Sequence, residues 1–175
     1  MMDWHHPRIA NPDCAIHESD NIAAEARAAW SRRRAAYPDL VKTGRITADD
    51  ARADLEAWRA IAKDWHWIAF GEGDPADPET LPNRIAALDT AIARWLEMVA
   101  ENGGHASLAD DRQGKLLCAM RWWAERERPG FSGPRHIRDT AAIGHAWRRQ
   151  NGLPTRGAML AAQEPAQQSE RKAAA

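Results

Sequence analysis

The chain is short of ordinary core-forming side chains. Among 175 residues Val and Phe occur twice each, Tyr once, and Leu and Ile ten times each. So small a supply points to disorder only when net charge is high, and the formal charge here is -1, so a folded chain is expected. Cysteine is scarce as well. Cys14 and Cys118 cannot frame a disulfide scaffold, which excludes the small disulfide-rich secreted class and makes a reducing cytoplasm the natural setting. No apolar run approaches the ~20 residues of a membrane span, and the opening MMDWHHPRIANPD lacks the apolar segment of a signal peptide. Lysine is rare, four against twenty arginines. With the abundant alanine, this is the codon signature of a GC-rich bacterial or phage genome. A soluble protein of the bacterial cytoplasm, without a membrane partner, is expected.

What the chain does have is tryptophan, nine in all. Each can bury ~150–250 Å², so a tryptophan-built core with alanine at the close helix contacts can replace the missing aliphatics. Charge is unevenly placed. Residues 39–111 hold fifteen Asp/Glu and seven Lys/Arg, whereas residues 112–156 hold three and ten. An acidic middle and a basic end can fold together, self-associate into a homo-oligomer, or meet an anionic partner.

Apolar periodicity predicts helices throughout, an all-α bundle of about five. Residues 1–17 read as an irregular arm, 18–153 as the helical domain and 154–175 as a disordered, polar, alanine-rich tail. The first helix is expected from about Asp20 to Ala36, with Pro38 ending it. Gly44 then suits a left-handed C-terminal position. Thr47 with Asp50 forms the start of the second helix, and Ser107 with Asp110 starts the fourth. Helix two carries Leu55, Trp58, Ile61, Trp65 and Ile68 on one stripe. The acidic, proline-rich 71–82 should break the chain and let helix three, about Asn83 to Glu101, lie antiparallel to it. A last helix, about Arg135 to Gln150, is expected to bury Ile137, Ile143 and Trp147.

The segment WSRRRAAYPDLVKTGRITADDARADLEAWRAIAKDW, residues 30–65, resembles a stretch of small uncharacterised phage and prophage proteins. Arg33, Tyr37, Pro38, Leu40, Val41, Gly44, Arg45, Thr47 and Ala51 carry the resemblance. It implies a mobile-element origin and a helical hairpin over 20–70, and it implies no catalytic residues.

Catalytic signatures are missing. No GxSxG, phosphate loop, HExxH or zinc-deaminase frame occurs, and Asp49–Asp50 and Asp110–Asp111 are explained by helix starts. A non-enzyme without a cofactor is expected. His5, His6, Asp13, Cys14 and His17 gather metal-ligand types, but only Cys14-x-x-His17 has ligand-like spacing, so no metal site is assigned. Cys118 falls opposite Leu116, Met120 and Trp123, which would leave its thiol accessible, but a free cysteine is far more often a small packing residue.

Two tryptophans fall off their helix stripes: Trp67 by about 165° and Trp122 by about 160°. An outward tryptophan suits a protein-binding hot spot, the alternative being that these helices are central in the bundle and apolar on both sides, or that helix two frays before Trp67. On the last helix Arg138, His145 and Arg149 fall within about 40° of one another. With Arg121 upstream they could follow a phosphate backbone. Within the Arg32–Arg34 triplet, Arg33 alone lies inside the apolar stripe and should either lay its stem along the core or pair with an acid of the helix beginning at Thr47.

Two functions are expected. The first is a non-catalytic binding protein acting through Trp67 and Trp122; the resemblance implies that it is of phage or prophage origin and modulates a host or phage protein, for instance as inhibitor of a defence or regulatory complex. The second is a nucleic-acid-associated accessory protein using Arg121, Arg138, His145 and Arg149. Duplex mimicry by residues 39–111 is a third class, disfavoured by the interspersed Arg52, Arg59, Lys63 and Arg84.

Overall fold

The computed structural model describes residues 13–131 and 136–163. It is all-α, and no strand occurs among the described residues. The long helices are α1 (Ser19–Lys42), α2 (Ala48–Phe70), α3 (Leu81–Glu101), α4 (Leu108–Arg126) and α5 (His136–Gln150). Short 3-10 turns at Asp13–His17 and Pro78–Thr80 precede α1 and α3. The expected starts at Thr47 and Ser107 are present. Each hydroxyl accepts the N–H of the residue three on and donates to that residue's carboxylate, at 2.7 Å for Asp50 and 2.6 Å for Asp110. Gly44 adopts φ 68°. Its N–H reaches the Val41 carbonyl while Arg45 N–H reaches that of Leu40, so the last carbonyls of α1 are satisfied as in a Schellman motif.

Pro38 does not end the first helix. α1 runs through it to Lys42, although an interior proline removes one hydrogen bond and costs about 3 kcal/mol. Two ties across the hairpin hold those turns in place. Arg33 Nε donates to Asp54 at 3.0 Å, and the buried Tyr37 donates its hydroxyl to the same carboxylate. The residue left without its donor, Arg34, is exposed, so water can serve its carbonyl. Arg33 therefore has the structural partner its position called for.

The core is built as the tryptophan count suggested. Trp58, Trp65, Trp67, Trp95 and Trp123 are all buried, packed with Ile22, Ile61, Leu88, Ile92 and Met120. Alanines 23, 26 and 29 bring α1 close to its neighbours. α4 approaches α3 through Gly114, where a Cβ would stand 2.3 Å from the Trp95 ring. Trp95 Nε1 donates to the Asp110 carbonyl at 2.8 Å. Because α4 has α3 on one side and α1 and the Asp13–His17 turn on another, it is buried nearly all round. Cys118 is accordingly 1% exposed, a small packing residue and not an accessible thiol.

α5 lies against the bundle with a different face from the one expected. Ile137 and Ala141 pack on the core, whereas Ile143 and Trp147 are 71% and 56% exposed. The chain then turns at Gly152 and is helical again over 156–163, a stretch assigned from sequence to the irregular tail. Thr155 Oγ1 accepts the Ala158 N–H as its cap. Arg156 clamps the segment to the body: it donates to both oxygens of Asp20 and to the Ala69 carbonyl. Residues 164–175 and most of the N-terminal arm, 1–12, lie outside the described residues.

Candidate functional site

Trp67 illustrates how two-sided packing changes a helix face. α2 meets α1 and α3 along its main stripe, and α5 covers the opposite side. Trp67 is 9% exposed, so the outward position expected for it is corrected. His145 of α5 donates from Nε2 to the Trp67 carbonyl at 2.9 Å, a bond in which the carbonyl can only accept. Their rings meet edge to face, with centroids 5.1 Å apart. The same imidazole lies where a Cβ on Gly71 would be, 2.7 Å from Nδ1. Glycine at the α2 terminus, with φ 71°, thus both caps the helix and admits His145.

Trp122 is half-buried. Its ring meets Trp123 edge to face at 4.6 Å, and the Arg126 guanidinium lies over it at 3.0 Å. That stack covers much of the surface expected to be free. Neither tryptophan singled out from sequence stands open, because both helices are apolar on two sides.

The basic stripe is similarly drawn inward. Arg121 is 2% exposed, and it donates to Asp89 at 2.6 Å and Glu125 at 2.7 Å. Burial raises the Glu125 carboxyl, but hydrogen bonds from Arg121 and Arg128 outweigh it and hold the group below its usual range. Arg138 donates to Asp64, Glu127 and the Ala76 carbonyl. His145 is committed to Trp67. Of the four residues only Arg149 is exposed, so they make no shared phosphate-binding surface.

Arg138 belongs to an ionic knot that ties four helices together. Asp64 Oδ2 accepts from Arg84 and Arg138, both at 3.0 Å, while Oδ1 accepts the Ala76 N–H at 2.9 Å. Glu127, just past α4, accepts from Arg84 at 3.1 Å and Arg138 at 3.0 Å. Two carboxylates balance two guanidiniums. Burial pushes the Glu127 carboxyl up, against the lowering fields of Arg84 and Arg138. Sequence periodicity contained a signal for this knot: Asp64 lies between Ile61 and Ile68 on the core stripe of α2, and Arg84 between Leu81 and Leu88 on that of α3. A charge on an apolar stripe calls for a partner. Glu127 carried no such signal.

One open apolar surface among the described residues lies on α5. Ile143 and Trp147 are one turn apart on its outer side, and Gly144 beside them has nothing within 4 Å of a Cβ position. Trp147 is the exposed tryptophan among the described residues. The face exists because Arg138 and His145, with fixed partners on the bundle, set the rotation of the helix.

Among the described residues no three His, Cys, Asp or Glu side chains gather as metal ligands do; His5, His6 and the side chains of Asp13 and Cys14 lie outside them. No described helix is long and apolar enough to cross a membrane. No known protein family, curated protein or solved structure matches the chain.

Proposed function

We infer that this is a non-catalytic binding protein, of phage or prophage origin, that modulates a host or phage protein through a tryptophan-bearing helical face. The supporting observation is the exposure of Trp147 and Ile143 on α5. Keeping a large aromatic in water is unfavourable, and tryptophan is enriched at binding hot spots. Ile143 and Trp147 have the i, i+4 spacing of anchors on a helix laid into a groove, with Gly144 between them letting a partner backbone come close. Arg138 and His145 on the inner side of the same helix act as its anchor, leaving the outer face free of bundle contacts. Inhibition of a host defence or regulatory complex is the role this small helical body suits.

Affinity capture from host lysate tests the reading, using the full chain beside Trp147→Ala and Ile143→Ala, with and without nuclease. One protein retained despite nuclease, insensitive to moderate salt and lost with the variants at unchanged helicity, is the expected result. Equal capture by wild type and Trp147→Ala removes the basis for this face. Recovery that collapses with nuclease or salt would return the nucleic-acid reading.

A further inference from the structure

Arg126 is half-buried and out of step with the other inward arginines. Arg33, Arg84, Arg121 and Arg138 each reach a carboxylate. Arg126 has no carboxylate within 4 Å among the described residues. One donor is used, Nη1 to the Trp122 carbonyl at 2.9 Å, and Nε is buried with no acceptor. The guanidinium plane is held by the Trp122 ring at 3.0 Å, with the Phe131 ring 5.2 Å away. Burial lowers its pKa, against the raising field of Glu125. A partly desolvated cation with unused donors is costly to keep, and a rigid fork of this kind matches a planar oxyanion.

Arg126 lines a cleft of about 240 Å³ whose walls include Leu81, Trp123 and Ile137. Glu127 and Arg138 close one side, already bound to each other, and the exposed Asp139 stands at the edge. We propose that this cleft binds a small monocarboxylate with an apolar body, its carboxylate on Arg126 and its body against Leu81, Trp123 and Ile137. The volume falls below the ~300–1,000 Å³ of drug-sized sites, so it takes about one aromatic or branched side chain. The exposed carboxylate of Asp139 at the edge disfavours multiply charged anions, which sets a carboxylate apart from a phosphate. Such a group can come from a free acid or from the C-terminal residue of a polypeptide. This site is separate from the α5 face and does not depend on it.

The test is titration calorimetry on the full chain, paired with the ¹⁵N resonance of the Arg126 Nε. The probes are phenylacetate, its neutral analogue phenylacetamide, inorganic phosphate, and a hexapeptide ending in phenylalanine as free acid and as amide. Phenylacetate or the peptide acid should saturate and shift the Arg126 resonance, and should bind at least about tenfold tighter than its amide partner. Arg126→Gln should abolish that preference and Arg126→Lys should keep part of it. Binding by the peptide acid alone assigns the ligand to a polypeptide terminus; binding by phenylacetate shows that a free acid suffices. Acid and amide binding alike, no saturable binding by either acid, or phosphate binding more tightly than both would overturn the proposal. The acid-to-amide comparison uses wild-type protein, so it stands even if a variant fails to fold.

Discussion

His145 Nε2 donates to the backbone carbonyl of Trp67 at 2.9 Å, seventy-eight positions away in sequence. One contact thus closes over the tryptophan that periodicity placed outward and withdraws the histidine that periodicity placed on a basic face. It also fixes the rotation of α5, and so determines that Ile143 and Trp147 face water.

Gly71 makes that contact possible and should be intolerant of substitution. At φ 71° an L side chain costs about 1–2 kcal/mol, and a Cβ would also displace His145. Gly71→Ala is expected to lose at least that much stability in urea unfolding. The Trp67 indole should become more accessible to a fluorescence quencher. Unchanged quenching would mean that α5 is not held through His145.

Asp64 carries the ionic knot. Asp64→Ala leaves two guanidiniums facing one carboxylate, and removing one partner of a buried pair costs about 3–5 kcal/mol. Glu127→Gln should cost less, because its carboxyl is a fifth exposed whereas that of Asp64 is 2% exposed. Titration has the opposite sign to a usual surface acid. Burial raises the folded-state pKa of Glu127 above its ordinary value. Its contribution to stability therefore falls as pH rises from that ordinary value through the raised one. Comparing wild type with Glu127→Gln across mildly acidic pH checks both size and sign.

The contact between Asp20 and Arg156 should make docking of 156–163 sensitive to acid. Hydrogen bonding from Arg156 holds the Asp20 carboxyl below its ordinary value. The stabilisation is thus complete above that ordinary value, ~3.9 in an unfolded chain, and is lost as pH falls through the lowered one. Both side chains are nearly half exposed, so salt should weaken the pair as well. Amide protection over 156–163, taken relative to the intrinsic exchange rate at each pH, is expected to fall at low pH in wild type. In Asp20→Asn it should already be low at neutral pH.

Gly114→Ala sets two effects against each other. Alanine gains about 1 kcal/mol of helix propensity, but its Cβ would sit 2.3 Å from the Trp95 ring, and overpacking costs about 1–3 kcal/mol. The clash should win, because the facing atoms belong to a rigid buried indole tied to Asp110. A lower melting temperature is expected; a higher one would show that α3 and α4 part without cost.

Pro38→Ala should do the reverse. Pro38 is exposed and inside α1, so alanine restores the hydrogen bond to Arg34 without removing packing. A gain of up to about 3 kcal/mol is expected from the lost proline penalty, read from urea unfolding.

By itself the sequence determined the elements whose causes are local. Thr47 and Asp50, Ser107 and Asp110, and Gly44 fix helix ends through hydrogen bonds spanning a few residues, and nine tryptophans announce the kind of core. The pairing of Arg33 was legible too, since an arginine on an apolar stripe needs an acid nearby. Tertiary structure decided whatever depended on a second neighbour. α1 passes through Pro38 because Tyr37 and Arg33 are tied to Asp54 across the hairpin. α2 and α4 bury Trp67 and Cys118 because they are packed on two sides, which a single helical period cannot express. The open face of α5 is the residue of that same packing: once Arg138 and His145 find partners on the bundle, Trp147 is left in water.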